Sequence, residues 1–216
     1  MIKRSFDILF SFILLVALAP FLLLVSLLIK IDSKGPVLFI QKRVGQHNKD
    51  FNIYKFRTMH PASNTKGLLT LGNRDARITR VGYYLRLYKI DEFPQLLNVL
   101  IGDMSFVGPR PELRHYVNFY KPEDYIAFSV KPGITGLASL KYRNEVELLK
   151  KAQNPESYFI NTIIPDKLKY NKEYIKNQSF WLDMKLIFLT LFRVFRTWTN
   201  KLFIFKQNKI YTTNYC

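Results

Sequence analysis

The sequence predicts an α+β fold that is mostly α-helical, with one short antiparallel β-hairpin, an N-terminal re-entrant membrane helix and a C-terminal interfacial amphipathic helix. Three observations predict it. An uncharged apolar run occupies positions 8–29, two β-forming segments lie at 37–41 and 51–57, and an aromatic, basic segment spans 180–205. Such runs and periodicities are the primary signals of secondary structure in a sequence.

The uncharged run from Ile8 to Ile29 is long enough to cross a membrane, but its flanks favour both ends on one side. Its 22 residues would form a straight helix roughly 33 Å long, against a hydrocarbon core of about 30 Å. Pro20 predicts a kink because it removes a backbone hydrogen bond. Basic residues, which mark the cytoplasmic side, precede and follow the run at Lys3, Arg4, Lys30 and Lys34. We therefore predict that residues 1–30 form a re-entrant anchor.

Two β-forming segments follow the anchor and open the predicted catalytic domain, residues 31–178. Val37–Gln41 and Phe51–Arg57 are separated by Gly45 and polar residues, which is typical of a hairpin. In the second segment Lys55 and Arg57 share one face because side chains alternate along a strand. That face could bind an anion, and a solvated strand face explains the pattern equally well.

Residues 61–73 are polar and contain two glycines, which predicts a mobile loop. A short helix is predicted next, at 81–88. It places Arg86 just ahead of an acidic pair, Asp91 and Glu92, so that this arginine could approach the same ligand. Ordinary surface charge is the alternative.

Asp91 and Glu92 precede Pro94 and an apolar run from Leu96 to Ile101, which together predict the start of a helix. Unpaired amides at a helix start favour ionised carboxylates, and this suits a nucleophile or a metal ligand. Simple helix capping is the alternative on the pattern alone.

The segment from Phe180 to Phe205 mixes many aromatic residues with basic ones. We predict that residues 179–205 form an amphipathic helix lying in the membrane interface, and that 206–216 form a flexible tail. The predicted aromatic contacts come from Trp181, Phe188, Phe192, Phe195, Trp198, Phe203 and Phe205. A helix packed against the core is the alternative.

Composition restricts the partners and the chemistry. The chain carries 33 Lys and Arg against 16 Asp and Glu, a formal net charge of +17, which predicts anionic partners. Its only cysteine is Cys216, and His47, His60 and His115 have no paired spacing for zinc, so an acid-based reaction independent of histidine remains. A non-catalytic, membrane-attached basic protein that binds anionic lipid or nucleic acid is the alternative function.

Several motifs follow one another in an order typical of one family. They are Lys3-Arg4 with Asp7, the proline-broken apolar run, Gly35-Pro36, Tyr54 to Met59, Asp91 to Leu96, Gly102 to Pro111, Lys131 to Leu137 and Arg143-Asn144. From Lys3 to about Arg196 the chain resembles the bacterial sugar transferases, the small monotopic polyprenol-phosphate phosphoglycosyl transferases. Two positions depart from the family pattern: Ala19 stands where members often have serine before the bend proline, and Tyr142 replaces a flexible glycine.

The resemblance implies transfer of a sugar-1-phosphate from a UDP-sugar to polyprenyl (undecaprenyl) phosphate with release of UMP, which would initiate assembly of a surface glycan. It implies that Asp91 forms a covalent phosphosugar intermediate and that Glu92 helps to hold Mg²⁺. Arg110 is the first candidate for contact with substrate phosphate, because guanidinium groups bind phosphate oxygens in pairs. Further candidates are Arg86, Lys55 and Arg57.

The same resemblance implies a bacterial cytoplasmic membrane protein with its catalytic domain on the cytoplasmic face. Its expected partners are the UDP-sugar, the polyprenyl phosphate and the membrane, without nucleic acid. The sequence leaves open a homo-oligomer, the identity of the sugar and the glycan pathway.

Overall fold

The computed structural model describes residues 2–61, 72 and 75–213, with the side chains of 197, 198 and 200–213 outside that description. The α-helices are α1 Ile2–Asp32, α2 Arg80–Tyr88, α3 Gln95–Ile101, α4 Arg114–Val117, α5 Leu137–Lys141, α6 Glu145–Lys151, α7 Pro155–Tyr158, α8 Ile164–Lys176 and α9 Phe180–Thr213. The strands are β1 Leu38–Val44, β2 Asp50–Phe56, β3 Ser105–Val107 and β4 Gly133–Thr135. The predicted mobile loop at 61–73 lies almost wholly outside the described residues.

The prediction of a mostly helical α+β fold with a short hairpin is confirmed. Strands β1 and β2 pair antiparallel, from Leu38 opposite Phe56 to Val44 opposite Asp50. A second pair, β3 with β4, is parallel and was not predicted. This parallel pairing requires glycine at position 133, because a Cβ on that residue would lie 2.1 Å from the backbone nitrogen of Gly108. This close approach fixes the loop that leads to Arg110.

Helix α1 is continuous from Ile2 to Asp32 and includes Pro20. It is the one described helix that is long and apolar enough to cross a membrane, with a mean hydropathy of 3.0 over its best window, only 11% of which is buried. Most of its large apolar side chains are therefore exposed. The structure does not test the re-entrant path, which stays a prediction.

The beginning of α1 is bonded to β3 and α9. The ammonium group of Lys3 donates to the Val107 carbonyl at 3.0 Å and forms an ion pair with Asp183 of α9. The buried carboxylate of Asp7 accepts from the Phe106 amide at 3.2 Å. These contacts attach α1 to the strand that precedes Gly108.

The end of α1 packs against the opposite part of the same domain. Val25 and Ile29 are buried with Phe56 of β2 and Leu85 of α2. The guanidinium of Arg57 donates to the carbonyls of Ser33 and Lys34, directly after α1, at 2.8 and 2.5 Å, and has a long contact of 3.5 Å with the Ile29 carbonyl in its last turn. Both ends of α1 thus contact one domain.

Helix α9 has a buried face and an exposed apolar face. Leu186 packs with Val107 and Tyr174, as the core-packing alternative requires. The exposed face carries Trp181, Phe188, Leu191, Phe192 and Phe195, as an interfacial helix requires. The side chains of Trp198, Phe203 and Phe205 lie outside the description. The helix continues to Thr213, past the predicted end at 205, and residues 214–216 of the predicted tail are outside the described part.

Candidate active site

The acidic pair lies in a 3-10 turn, Ile90–Glu92, between α2 and α3. Lys89 ends α2 in the left-handed conformation, with φ 61°, and so turns the chain sharply before Asp91. Pro94 has helical dihedral angles and immediately precedes α3, as its fixed φ favours. No side-chain hydrogen bond caps α3, and both acids lie in the first turn of the 3-10 helix that precedes it.

Glu92 is surrounded by cations. Its Oε1 accepts from Arg110 at 2.5 Å and from Lys55 Nζ at 3.0 Å, and its Oε2 has a longer contact of 3.3 Å with Arg110. Burial alone would raise the pKa of Glu92, but Arg110 and Lys55 hold that pKa well below its usual range. Glu92 is therefore ionised and fixes the position of both cations.

Asp91 is in the opposite electrostatic situation. Its Oδ1 is buried and has no hydrogen-bond partner among the described residues, although the residue as a whole is only partly buried. Burial raises the pKa of Asp91, and the charge of Glu92 raises it further. We expected the helix start to keep Asp91 ionised. Burial opposes this expectation, whereas the positive charges of Lys55, Lys89 and Arg86 lower the pKa of Asp91 and favour its ionised form. A poorly solvated carboxylate of this kind is reactive when it ionises.

The structure brings some of the predicted phosphate ligands to the acidic pair. Lys55 and Arg110 contact Glu92 directly. Arg86 lies partly buried on α2. Burial lowers the pKa of its guanidinium, and among the charged groups Asp91 does most to raise that pKa. Arg57 lies elsewhere: it is 6% exposed and its guanidinium is used by the end of α1, which argues against its predicted contact with phosphate.

A second group of charges extends the site beyond Arg110. Lys167 Nζ lies 2.7 Å from Glu112 and 3.1 Å from Glu145, and Arg43 donates to the Pro111 carbonyl at 3.2 Å. The sequence pattern indicated no role for these residues in the site. The position of Glu112 directly after Pro111 was a usable signal, whereas Lys167 belongs to a lysine-rich helix in which nothing distinguishes it.

The Glu112 ion pair predicts a pH-dependent contribution to stability. Burial would raise the pKa of Glu112, but Lys167 and Arg43 lower it below its usual 4.5. A lowered folded-state pKa stabilises the protein above the unfolded pKa, and this stabilisation is lost as pH falls through the folded pKa. We expect Glu112→Gln to lower the free energy of unfolding by roughly 3 kcal/mol at pH 7.

Thermal or urea unfolding of both proteins between pH 7 and pH 3 measures this effect. The difference between wild type and Glu112→Gln is expected to shrink below about pH 4.5. A matched Glu123→Gln variant, in an exposed position, controls for general loss of negative charge. A difference independent of pH would contradict the assignment to this ion pair.

The acidic pair also bears on the predicted metal. Among the described residues no group of three or more His, Cys, Asp or Glu side chains could hold an ion. Mg²⁺ commonly takes one or two carboxylates and completes its coordination with water and substrate phosphates. Glu92 Oε2, which has only the long contact with Arg110, fits that partial set as one carboxylate ligand.

Comparison with known proteins agrees with the geometry. The sequence profile of a family described as bacterial sugar transferase matches residues 1–197. A UDP-glucose:undecaprenyl-phosphate glucose-1-phosphate transferase of Klebsiella pneumoniae is 39% identical over 89% of this chain and 40% of its own length. A UDP-N-acetylgalactosamine-undecaprenyl-phosphate N-acetylgalactosaminephosphotransferase of Aeromonas hydrophila is 41% identical over 88% of this chain and 43% of its own length.

These two relatives are longer proteins, and the chain spans less than half of each. A relative of similar size also matches. The exopolysaccharide production protein PSS of Rhizobium leguminosarum bv. phaseoli is 40% identical over 88% of this chain and 93% of its own length. The similarity in each case covers the segment that carries Asp91, Glu92 and Arg110.

Proposed function

The chain belongs to the bacterial sugar transferase family, and we propose on that premise that it transfers a sugar-1-phosphate from a UDP-sugar to undecaprenyl phosphate and releases UMP. The observation that carries the proposal is a partly buried carboxylate, Asp91, whose Oδ1 has no partner among the described residues, next to an ionised Glu92 that positions Arg110 and Lys55. The names of the Klebsiella and Aeromonas relatives describe transfers of this kind. The Rhizobium relative is named for exopolysaccharide production, which supports a role in surface glycan assembly.

The proposed reaction has two displacements at the β-phosphorus of the UDP-sugar. Asp91 Oδ2 attacks that phosphorus, an O–P bond forms, and the bond to the bridging oxygen breaks so that UMP leaves with the electron pair. A phosphate oxygen of undecaprenyl phosphate then attacks the same phosphorus and displaces the Asp91 carboxylate. The products are UMP and undecaprenyl diphosphate sugar, and the enzyme is regenerated.

The attack of a carboxylate on a diphosphate requires positive charge. Two like unit charges about 4 Å apart repel by roughly 4 kcal/mol at an effective dielectric constant near 20. Arg110 can place two parallel N–H donors on phosphate oxygens, and Lys55 supplies a second cation from β2. Arg86, close to Asp91 on α2, is a third candidate. Glu92 holds Arg110 and Lys55 in position before the substrate arrives, which is the preorganisation that electrostatic catalysis needs.

Glu92 would hold Mg²⁺ together with the substrate. When bound, this ion neutralises part of the diphosphate charge and stabilises the leaving phosphate. The protein residues supply the remaining functions: Asp91 makes the bond, and Arg110 and Lys55 orient the phosphates.

The acceptor is a membrane lipid, and the contacts of α1 support a re-entrant anchor on the cytoplasmic face. The first turn of α1 is bonded to β3, and its last turns pack on β2 and α2 of the same domain. A helix that spans the bilayer would have its ends on opposite sides, whereas one polar domain contacts both ends here. The exposed aromatic face of α9 provides a second membrane contact at headgroup depth.

Labelling of single cysteines tests this topology. Cys216 is first replaced by serine, and a cysteine is then placed at Ile2 or at Lys34 in cells. We expect that a reagent confined to the periplasm labels neither position and that both react after permeabilisation. Periplasmic labelling at Ile2 alone would show a spanning helix and would contradict the re-entrant path.

Release of UMP tests the function directly. Detergent- or nanodisc-held protein is incubated with Mg²⁺, undecaprenyl phosphate and a panel of UDP-sugars. We expect UMP release that depends on one or a few of these sugars and on the lipid for sustained turnover. Binding of anionic lipid without UMP release from any sugar would instead support a non-catalytic basic protein.

A further inference from the structure

The loop that carries Arg110 is poor in hydrogen-bond donors. Pro109 and Pro111, on either side of Arg110, have no N–H, and both residues are buried. This segment is therefore fixed to the rest of the fold through its carbonyl groups, which need partners when they are buried. The Pro109 carbonyl, before Arg110, accepts from the Gly133 amide at 2.9 Å. The carbonyl after Arg110 needs a separate donor.

Arg43 supplies that donor from β1. Its Nη1 donates to the Pro111 carbonyl at 3.2 Å. The guanidinium is itself held by Gln41, because Nε and Nη2 both donate to Gln41 Oε1, at 3.1 and 2.8 Å. The next residue of the strand, Val44, donates its amide to the carbonyl of Glu112 at 3.0 Å. The end of β1 thus fixes the loop directly after Arg110.

Arg43 lies on the same face of the hairpin as Lys55. Phe39 is opposite Lys55 in the register of β1 with β2, and Phe39 and Arg43 are an even number of positions apart on β1. Opposite residues and alternate residues of an antiparallel pair share a face. Lys55 contacts Glu92 Oε1, which also accepts from Arg110. The hairpin therefore reaches Glu92 in two ways, by direct contact from Lys55 and through the loop that Arg43 holds.

The charge of Arg43 belongs to the same electrostatic environment as that of Arg110. Burial lowers the pKa of the Arg43 guanidinium, Glu112 and Glu92 act to raise that pKa, and Arg110 lowers it further. A guanidinium nevertheless stays protonated in proteins, so its donors are always available. The bonds shown for it go to a side-chain amide and a backbone carbonyl, and they use three N–H groups in a fixed planar arrangement.

We propose that Arg43, oriented by Gln41, is a positioning residue for Arg110: it holds the Pro111 carbonyl so that the Arg110 guanidinium is directed at Glu92 and at the substrate phosphates. The inference rests on the proposed function. Arg43 acts on the loop and not on the substrate. Loss of its bond to Pro111 therefore lowers activity only by way of Arg110.

A double-mutant cycle of Arg43→Met and Arg110→Met tests the proposal. Methionine retains much of the apolar stem of arginine and removes its donors. We expect Arg43→Met alone to lower kcat/KM about 10- to 100-fold, since a small misplacement of a group in the site has an effect of this size. In the Arg110→Met background we expect the same change to lower kcat/KM by less than about threefold, because residues that act as a unit are not additive. An equal loss in both backgrounds would overturn the proposal, since both a general structural role and an independent phosphate contact give that result.

Two further variants separate the bonds of Arg43 from its charge. Lys42→Met removes one positive charge from the exposed, opposite face of the same strand, and we expect kcat/KM near the wild-type value. Gln41→Leu removes the acceptor but leaves the charge of Arg43, and we expect a loss of about 3- to 10-fold, the size of one ordinary hydrogen bond.

The cycle is repeated with Gln41→Leu in place of Arg43→Met, so that the test does not depend on the folding of one variant. The loss from Gln41→Leu is also expected to disappear in the Arg110→Met background. Wild-type kcat/KM for Arg43→Met or Gln41→Leu would overturn the proposal. A loss for Lys42→Met as large as that for Arg43→Met would overturn it as well, because general positive charge would then explain both.

The wild-type protein distinguishes failure of this inference from failure of the proposed function. If wild type releases no UMP from any UDP-sugar, the proposed function fails and the role of Arg43 fails with it. If wild type is active and Arg43→Met turns over at the wild-type rate, only the role of Arg43 fails.

Discussion

The Asp91→Asn variant is expected to lose UMP release by about 10³-fold or more, an effect typical of removing a nucleophile. The amide of asparagine has nearly the shape of the carboxylate but is not a competent nucleophile toward phosphorus. The loss should come without unfolding, because burial disfavours the charge of Asp91 and the neutral amide removes that unfavourable term. The thermal midpoint should therefore be maintained while chemistry stops.

Two measurements check this result. UMP release is followed in the steady state, and a UDP-sugar labelled in its sugar is used to detect label on acid-quenched protein. We expect label on wild type in the absence of undecaprenyl phosphate and none on Asp91→Asn. Asp103→Asn, a matched change eleven positions after Glu92, should keep both signals. Normal turnover by Asp91→Asn would show that another group is the nucleophile.

The Arg110→Met variant is expected to show the second large effect, a fall in kcat/KM of about 10²- to 10³-fold, the size found when one group that stabilises developing charge is removed. Arg110 has two roles in the proposed site: it contacts both oxygens of Glu92, and it is the best-placed guanidinium for the substrate phosphates. Methionine retains much of the apolar stem but removes the charge and the paired donors.

Kinetic constants for three variants check this prediction. Arg110→Lys keeps the charge without the paired donors and should fall between wild type and Arg110→Met. Arg114→Met removes the same charge from an exposed pair with Asp50 and should keep kcat/KM near the wild-type value. Equal losses for Arg110→Met and Arg114→Met would indicate that general positive charge, and not the contact with Glu92, is what the enzyme needs.

Local patterns were enough to predict several elements. The apolar run predicted α1, the alternation at 51–57 predicted β2, and Pro94 predicted the start of α3 to within one residue. These features depend on residues close together in the chain, where the fixed φ of proline and the period of a strand act directly. The acidic pair and Arg110 were also found, because both belong to one short, unusual segment.

Other features depend on contacts between distant segments. The parallel pairing of β3 with β4 needs two glycine-containing loops to approach within van der Waals contact, and neither three-residue strand is distinguishable alone. Arg57 was predicted to bind phosphate from its place on a strand face. In the structure the guanidinium of Arg57 donates to the carbonyls of Ser33 and Lys34 at the end of α1. The alternation of side chains along a strand cannot show whether such a guanidinium binds an anion or a backbone carbonyl.

The sequence by itself determined the family, the long apolar helix, and the acidic pair from which this protein's chemistry is proposed. Only the tertiary structure decided how the two acids differ. Glu92 is held ionised by Lys55 and Arg110, which are 37 and 18 residues away along the chain, while Asp91 is partly buried and its Oδ1 has no partner among the described residues. Residue type sets what a side chain can do, but burial and the nearest charges set its pKa and its partners, and these arise only when distant segments pack together.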